Sequence, residues 1–138
     1  MLLAVCDSEY RFTYVNVGAP GRSNDAHIFK NCSLLNHVSN NDVWNNMAIT
    51  LSNTKIPIHL IGDSAIPLMP NLMKPYPDTD QLSEEEKFFN YRLAVARRVI
   101  ENAFGRLKGR FCILQQMDSR LENTSNIILC CAILHNFL

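Results

Sequence analysis

Lys87–Arg110, KFFNYRLAVARRVIENAFGRLKGR, is the stretch on which the fold of this chain turns. No proline interrupts it and most of its residues favour helix, so a single long helix is expected. At about 100° per residue, Phe89, Leu93, Ala96, Ile100, Phe104, Leu107 and Phe111 fall in one apolar stripe, the face a core would cover. Seven basic residues, Lys87, Arg92, Arg97, Arg98, Arg106, Lys108 and Arg110, stand on this helix against a single acid, Glu101. Glu101 lies on the flank of the stripe, one turn after Arg97 and two turns before Lys108. Two readings of it are open. It is either an i,i+4 ion-pair partner on a solvated face, worth roughly a few tenths of a kcal/mol, or a carboxylate held beside cations for chemistry.

Upstream, Ser83 followed by Glu84–Glu86 forms a helix start, with Glu86 at the capping-box position, and the basic helix begins either here or after a small break near Phe88-Phe89-Asn90. Pro67, Pro70, Pro75 and Pro77 make Ile66–Asp80 an extended connection over the surface. Lys55–Asp63, KIPIHLIGD, reads as the best strand of the chain. Its nearly continuous apolar run fits a strand buried on both faces, ending at Gly62-Asp63-Ser64. A carboxylate at that edge is where α/β sheets place functional groups, although a turn-forming Asp explains it equally. Ser39–Ser52 is polar and Asn-rich, a loop or irregular helix with a turn near Asn40-Asn41-Asp42. Ser23 or Asn24 caps a helix over Ala26–Phe29, with Asp25 in a first turn that favours a carboxylate. Met1–Cys6 and Arg11–Val17 form a β-hairpin across Asp7-Ser8-Glu9. Downstream, Cys112–Met117 is a short apolar piece and Asp118–Thr124 a turn. Ser125–Leu138 is a buried helix, apolar on nearly all sides, in which His135 and Asn136 are satisfied core polar groups.

At 138 residues the chain is expected to form one domain, residues 1–138, with a real core. Its formal net charge is zero, so any polyanion-facing surface must come from segregation, as in the basic helix. Five cysteines without zinc spacing read as reduced, mostly buried thiols of an intracellular protein, nuclear or cytoplasmic. MLLAVC is too short for a signal-peptide core, and no apolar run reaches membrane-spanning length. Met1 opens straight into a strand, a hint that something upstream is missing.

Three carboxylates stand out on local grounds: Asp25 at a helix start, Asp63 at a strand end, Glu101 on a helix flank. Divalent-metal phosphoryl chemistry needs hard oxygen ligands gathered from different elements, with cations nearby to hold phosphates. Gly105, one turn beyond Glu101, would let a backbone or strand approach closely.

These same residues carry a resemblance. Gly18-Ala19-Pro20-Gly21-Arg22-Ser23-Asn24-Asp25-Ala26 resembles the PGSxxD segment of the PIF/Harbinger transposases and their derived nucleases. Leu60-Ile61-Gly62-Asp63-Ser64-Ala65 is similar to their LxGDSxY strand end, with Ile66 where an aromatic is usual. Asn90-Tyr91-Arg92 and Arg97-Arg98-Val99-Ile100-Glu101-Asn102-Ala103-Phe104-Gly105-Arg106-Leu107-Lys108 are similar to their FNxxxxxxRxxIExxFGxLKxRF helix. Cys130-Cys131-Ala132-Ile133-Leu134-His135-Asn136 resembles the ACxxLHN end. Four motifs in order, from residue 18 to residue 136, cover nearly the whole chain.

The resemblance implies an α/β fold, an RNase H-like mixed sheet flanked by helices, and a DDE-type DNA endonuclease using Mg²⁺ or Mn²⁺. By motif position Asp63 and Glu101 would be catalytic acids, and Asp25, Asp63 and Glu101 metal ligands. Arg97 and Lys108 would hold DNA phosphates as point charges. The family's first catalytic Asp stands on a strand that would precede Met1, in a VDGxH-like sequence, and that strand is absent here. Asp7 is no substitute, because it sits in the following hairpin turn. Two explanations are open: a fragment or inactive copy of a longer transposase, or a chain whose sheet is completed by an upstream or separate polypeptide. The expected partner is DNA, with a non-catalytic nucleic-acid or protein-interaction module as the alternative function.

Overall fold

In the computed structural model, which describes residues 2–18, 25–40, 44, 46–116 and 121–138, the chain divides into two compact units. One comprises Met1–Ser23 with Arg98–Leu138, the other Asn24–Arg97. The fold is mixed α/β, with strands paired two by two among the described residues.

In the first unit β1 (Leu2–Cys6) pairs antiparallel with β2 (Phe12–Val17), the hairpin expected from the sequence. Asp7 builds its turn. The Asp7 Oδ1 accepts the Glu9 and Arg11 amides at 2.9 and 3.0 Å, and Oδ2 accepts Arg11 Nε at 2.9 Å. The Arg11 amide first, with the Arg11 guanidinium and the Glu9 amide adding to it, holds this carboxyl below the usual range. The sign follows. A carboxyl whose folded pKa is depressed contributes stability above its unfolded value, near about 3.9, and loses it as pH falls through the folded value. Asp7→Asn is therefore expected to flatten the acid side of a plot of Tm against pH, relative to the native chain.

The hairpin packs on two helices. Phe12, Ala103, Leu107, Cys131 and Ala132 form its buried centre, with Val15, Ile100, Phe104 and Ile127 packed against them. Ala103, Leu107 and Phe104 come from the long basic helix, and Ile127, Cys131 and Ala132 from the last helix, Leu121–His135. That last helix starts inside the segment expected to be a turn, and its burial is one-sided. Ile133 and Leu134 are more than half exposed, as are Phe137 and Leu138 beyond it. The physical reason is coverage: only one face of the helix has a hairpin and a helix to pack on. The thiols are likewise not mostly buried. All five are free, Cys32 and Cys131 buried but Cys112 and Cys130 exposed. Burial first, then the neighbouring Asp7 charge, pushes the Cys6 thiol up; burial and then Cys130 do the same for Cys131.

In the second unit α1 (Asp25–Asn31) and α2 (Ser33–Ser39) bury Ile28, Phe29, Leu34 and Val38. The expected caps Ser23 and Asn24 and the turn at Asn41-Asp42 lie outside the described residues. The strand expected over Lys55–Asp63 is not one strand. β3 (Ile49–Leu51) pairs antiparallel with β4 (Thr54–Ile56), and β5 (Leu60–Ile61) pairs parallel with β6 (Leu72–Met73). Pro57 separates β4 from β5, since it has no N–H to give a ladder. Ile58 and Ile61 are about two-fifths exposed, so the run is not buried on both faces. β6 lies among the prolines read as a surface connection, yet Leu72 and Asn71 are buried, and Asn71 Nδ2 donates to the Val38 carbonyl at 3.2 Å.

The long helix, α3, runs unbroken over Glu84–Arg110, and the last helix becomes α4. Its start is the expected capping box: the Ser83 amide donates to Glu86 Oε2 at 2.8 Å and the Glu86 amide to Ser83 Oγ at 3.2 Å. One turn on, Asn90 takes the Tyr76 backbone with both ends of its amide. Oδ1 accepts the Tyr76 N–H at 2.9 Å, and Nδ2 donates to its carbonyl at 3.1 Å. Leu93 is the buried residue of this half of α3.

Candidate active site

Asp63 follows β5 at the C-terminal end of a parallel strand pair. Gly62 N donates to the Met73 carbonyl at 2.8 Å, so the ladder continues up to the residue before the acid. The carboxylate then folds the chain: Asp63 Oδ1 accepts the Ala65 amide at 2.9 Å and the Ile66 amide at 3.3 Å. Oδ2 has no hydrogen-bond or ion-pair partner among the described residues. Lys74 Nζ donates to the Ser64 carbonyl at 2.9 Å and braces the same turn. No local signal marks Lys74 for this role, which depends on β6 returning beside β5.

Gly62 is required by packing. A Cβ there would overlap Ile66 Cδ1 and lie 2.7 Å from Ile66 Cγ1. Ile66 is buried and covers Gly62 with its side chain while its amide holds Asp63. This accounts for a large apolar residue three positions after the acid.

Glu101 is exposed on α3. The ion pair with Arg97 that its spacing allows is not formed, and no cation lies within ion-pairing reach of it among the described residues. Lys108 is exposed on the same helix and Arg97 is half-buried, neither in an ion pair among the described residues. Nothing among the described residues approaches Gly105: a Cβ there would meet no atom within 4 Å. The close approach expected at Gly105 is therefore not made by the described residues. Gly105→Ala is expected to raise stability by about 0.5–1 kcal/mol, by removing a flexible residue from a helix interior; a thermal melt reads it.

Asp25 opens α1, as its motif position requires. Asp25 and Asp63 belong to the second unit and Glu101 to the first. Among the described side chains, which do not include that of Asp25, no three His, Cys, Asp or Glu form a cluster that could hold a metal ion. Among the described residues Asp63 Oδ2 and the Glu101 carboxylate have no partner, and carboxylate oxygen is the donor type that a hard divalent cation takes.

The His135 and Asn136 side chains serve structure, as expected. Asn136 Oδ1 accepts the Phe12 N–H and Nδ2 donates to the Phe12 carbonyl, both at 2.8 Å. His135 Nε2 lies 2.9 Å from the Tyr10 carbonyl, which can only accept, so Nε2 carries the hydrogen and Nδ1 accepts from Arg110 at 3.2 Å.

The family described as DDE superfamily endonuclease matches residues 1–136. The chain belongs to that family. A relative, Protein ALP1-like of Arabidopsis thaliana, is 33% identical over 141 residues, covering 99% of this chain and 34% of its own length. The chain thus spans about a third of that curated relative. No solved structure matches. The transposase-type resemblance of the motifs is borne out by the family match. No helix among the described residues is long and apolar enough to cross a membrane.

Proposed function

We propose that this chain is part of a divalent-metal-dependent DNA endonuclease of transposase origin, RNase H-like in fold, with Asp63 and Glu101 as its catalytic acids. The observation that supports this best is the Gly62-Asp63 turn. A carboxylate at the end of a parallel strand is fixed by two amides through one oxygen and left open at the other. Asp25, Asp63 and Glu101 would hold Mg²⁺ or Mn²⁺. Held by these carboxylates, the ion would supply activation of a water or 3′-hydroxyl and stabilisation of the leaving oxygen of a phosphodiester. Asp63 needs no reorganisation to present its open oxygen, because its turn is already closed. Glu101, on α3, would bring a second carboxylate, one that no cation among the described residues pairs with. Arg97 and Lys108 would position backbone phosphates as point charges, and DNA is the partner. A nuclear or cytoplasmic location agrees with this role.

Isothermal titration of the chain with Mn²⁺ is the test, repeated on Asp63→Asn and Glu101→Gln. Each variant is expected to weaken binding by tenfold or more, on the order of 1.4 kcal/mol. Unchanged Mn²⁺ binding in both variants ends the metal assignment. Salt-sensitive DNA binding by a chain that does not take up Mn²⁺ assigns it instead a non-catalytic nucleic-acid role.

A further inference from the structure

The cations that the acidic site leaves unused gather elsewhere in the first unit. A cleft of about 220 Å³ is lined by Glu9, Tyr10, Arg11, Arg106, Arg110 and His135, with Asn136 and Leu138 completing it. Arg11 is neutralised there by Asp7 and Glu9, at 2.9 and 2.8 Å. Arg106 and Arg110 are not. Among the described residues neither guanidinium meets a carboxylate. Both are nevertheless held in place, by neutral partners. The Arg106 guanidinium lies over the Tyr10 ring, its Cζ 3.9 Å from the centroid. Arg110 Nη1 contacts the His135 Nδ1 and carbonyl at 3.2 and 3.3 Å. Stacking and carbonyl bonds fix a guanidinium without cancelling its charge, and they leave most of its five N–H donors free.

The turn that supplies the ring is strained. Tyr10 has φ 69°, a left-handed conformation that a bulky L-residue rarely adopts. The turn keeps a tyrosine where glycine or asparagine would fit at less cost, and that tyrosine is the platform for Arg106.

We propose that this cleft is an anion site that takes a backbone phosphate of a DNA strand between Arg106 and Arg110. The proposal rests on the DNA-acting function above for the identity of the ligand, though not for the anion chemistry. On α3 the two arginines lie roughly 140° and 180° round the helix from Glu101, so this contact is on the face away from the candidate catalytic acid. It anchors DNA flanking the reacting phosphate and takes no part in the chemistry. Paired planar guanidiniums suit a phosphate bound bidentately, and lysine would be a poor replacement.

Two readouts test it. In a ¹⁵N-edited spectrum of the arginine Nε–H groups, titration with inorganic phosphate is expected to move the Arg106 and Arg110 signals ahead of the others. In fluorescence anisotropy with a short labelled DNA duplex, Arg106→Gln and Arg110→Gln are each expected to weaken binding about tenfold and to lower the salt slope by about one. Arg106→Lys is expected to recover little of this, and Lys55→Gln, in the other unit, to change it little. Each variant is first checked by thermal melt against the native chain. Failure of either arginine signal to respond to phosphate overturns the site. Phosphate-responsive signals with native DNA affinity in both glutamine variants overturn DNA as the ligand. Loss of Mn²⁺ binding or nicking in Asp63→Asn with the cleft results intact would sink the reverse objection, that the two sites are one.

Discussion

Asn136→Ala is expected to cost about 2–4 kcal/mol of stability, roughly 1–2 for each backbone group it strands. The Phe12 N–H and carbonyl point away from β1, and the Asn136 amide takes both, as a neighbouring strand would. Phe12 is 7% exposed, so water does not readily replace the lost partners. The ring sits beside Phe104 and His135, at centroid distances of 5.5 and 5.1 Å, and a freed Phe12 loosens the centre of the unit. For a domain of this size the melting temperature falls by roughly 3–5 °C per kcal/mol. Asn136→Asp separates hydrogen bonding from packing. Its carboxylate accepts the Phe12 N–H but sets a second acceptor against the Phe12 carbonyl, so the variant is unstable at neutral pH. Acid protonates the new side chain and restores a donor. Its deficit relative to the native chain at the same pH should shrink on acidification, and a deficit that does not change with pH would sink the two-bond clamp.

The clamp also marks what could be read from residues alone. His135 and Asn136 could be placed as satisfied core polar groups, because a polar pair at the end of an apolar helix needs partners. Phe12 and Tyr10, more than a hundred residues away, were invisible to local spacing. The capping box of α3 was legible because Ser83 and Glu86 exchange bonds within one turn. The hairpin was legible because alternation and turn chemistry agree. Lys55–Asp63 misled because an apolar run records burial preference and not pairing: Pro57 breaks it, and each half finds a different partner. Of the candidate acids, sequence located the elements correctly, with Asp25 at a helix start, Asp63 at a strand end and Glu101 on α3. It left Glu101's surroundings open between two readings, and the ion pair is the one not formed. Spacing permits an ion pair with Arg97, but long side chains on a solvated helix gain little by forming one. Arg106 over Tyr10 depends on a left-handed residue that no composition rule anticipates.

Gly62→Ala is the variant that joins packing to the candidate chemistry, and it is expected to destabilise the chain by about 1–3 kcal/mol. The added methyl overlaps the Ile66 side chain, which is buried and must shift to make room. Leu72 Cδ1, 3.7 Å from the same point, closes the other side. Where the Ile66 backbone shifts with its side chain, the amide that bonds Asp63 Oδ1 shifts too, and the carboxylate loses one of the two donors that orient it. The effect on Mn²⁺ binding should therefore exceed the effect of an equally destabilising change elsewhere, such as Ile28→Val. Ile66→Ala provides the partner experiment. Alone it leaves a cavity and costs about 2–4 kcal/mol; combined with Gly62→Ala, the new methyl occupies part of that space. The pair should then be less damaging than the two costs added, with a coupling of about 1 kcal/mol or more. Strict additivity would mean that Ile66 does not bear on Gly62, and the link from that glycine to the orientation of Asp63 would fail with it.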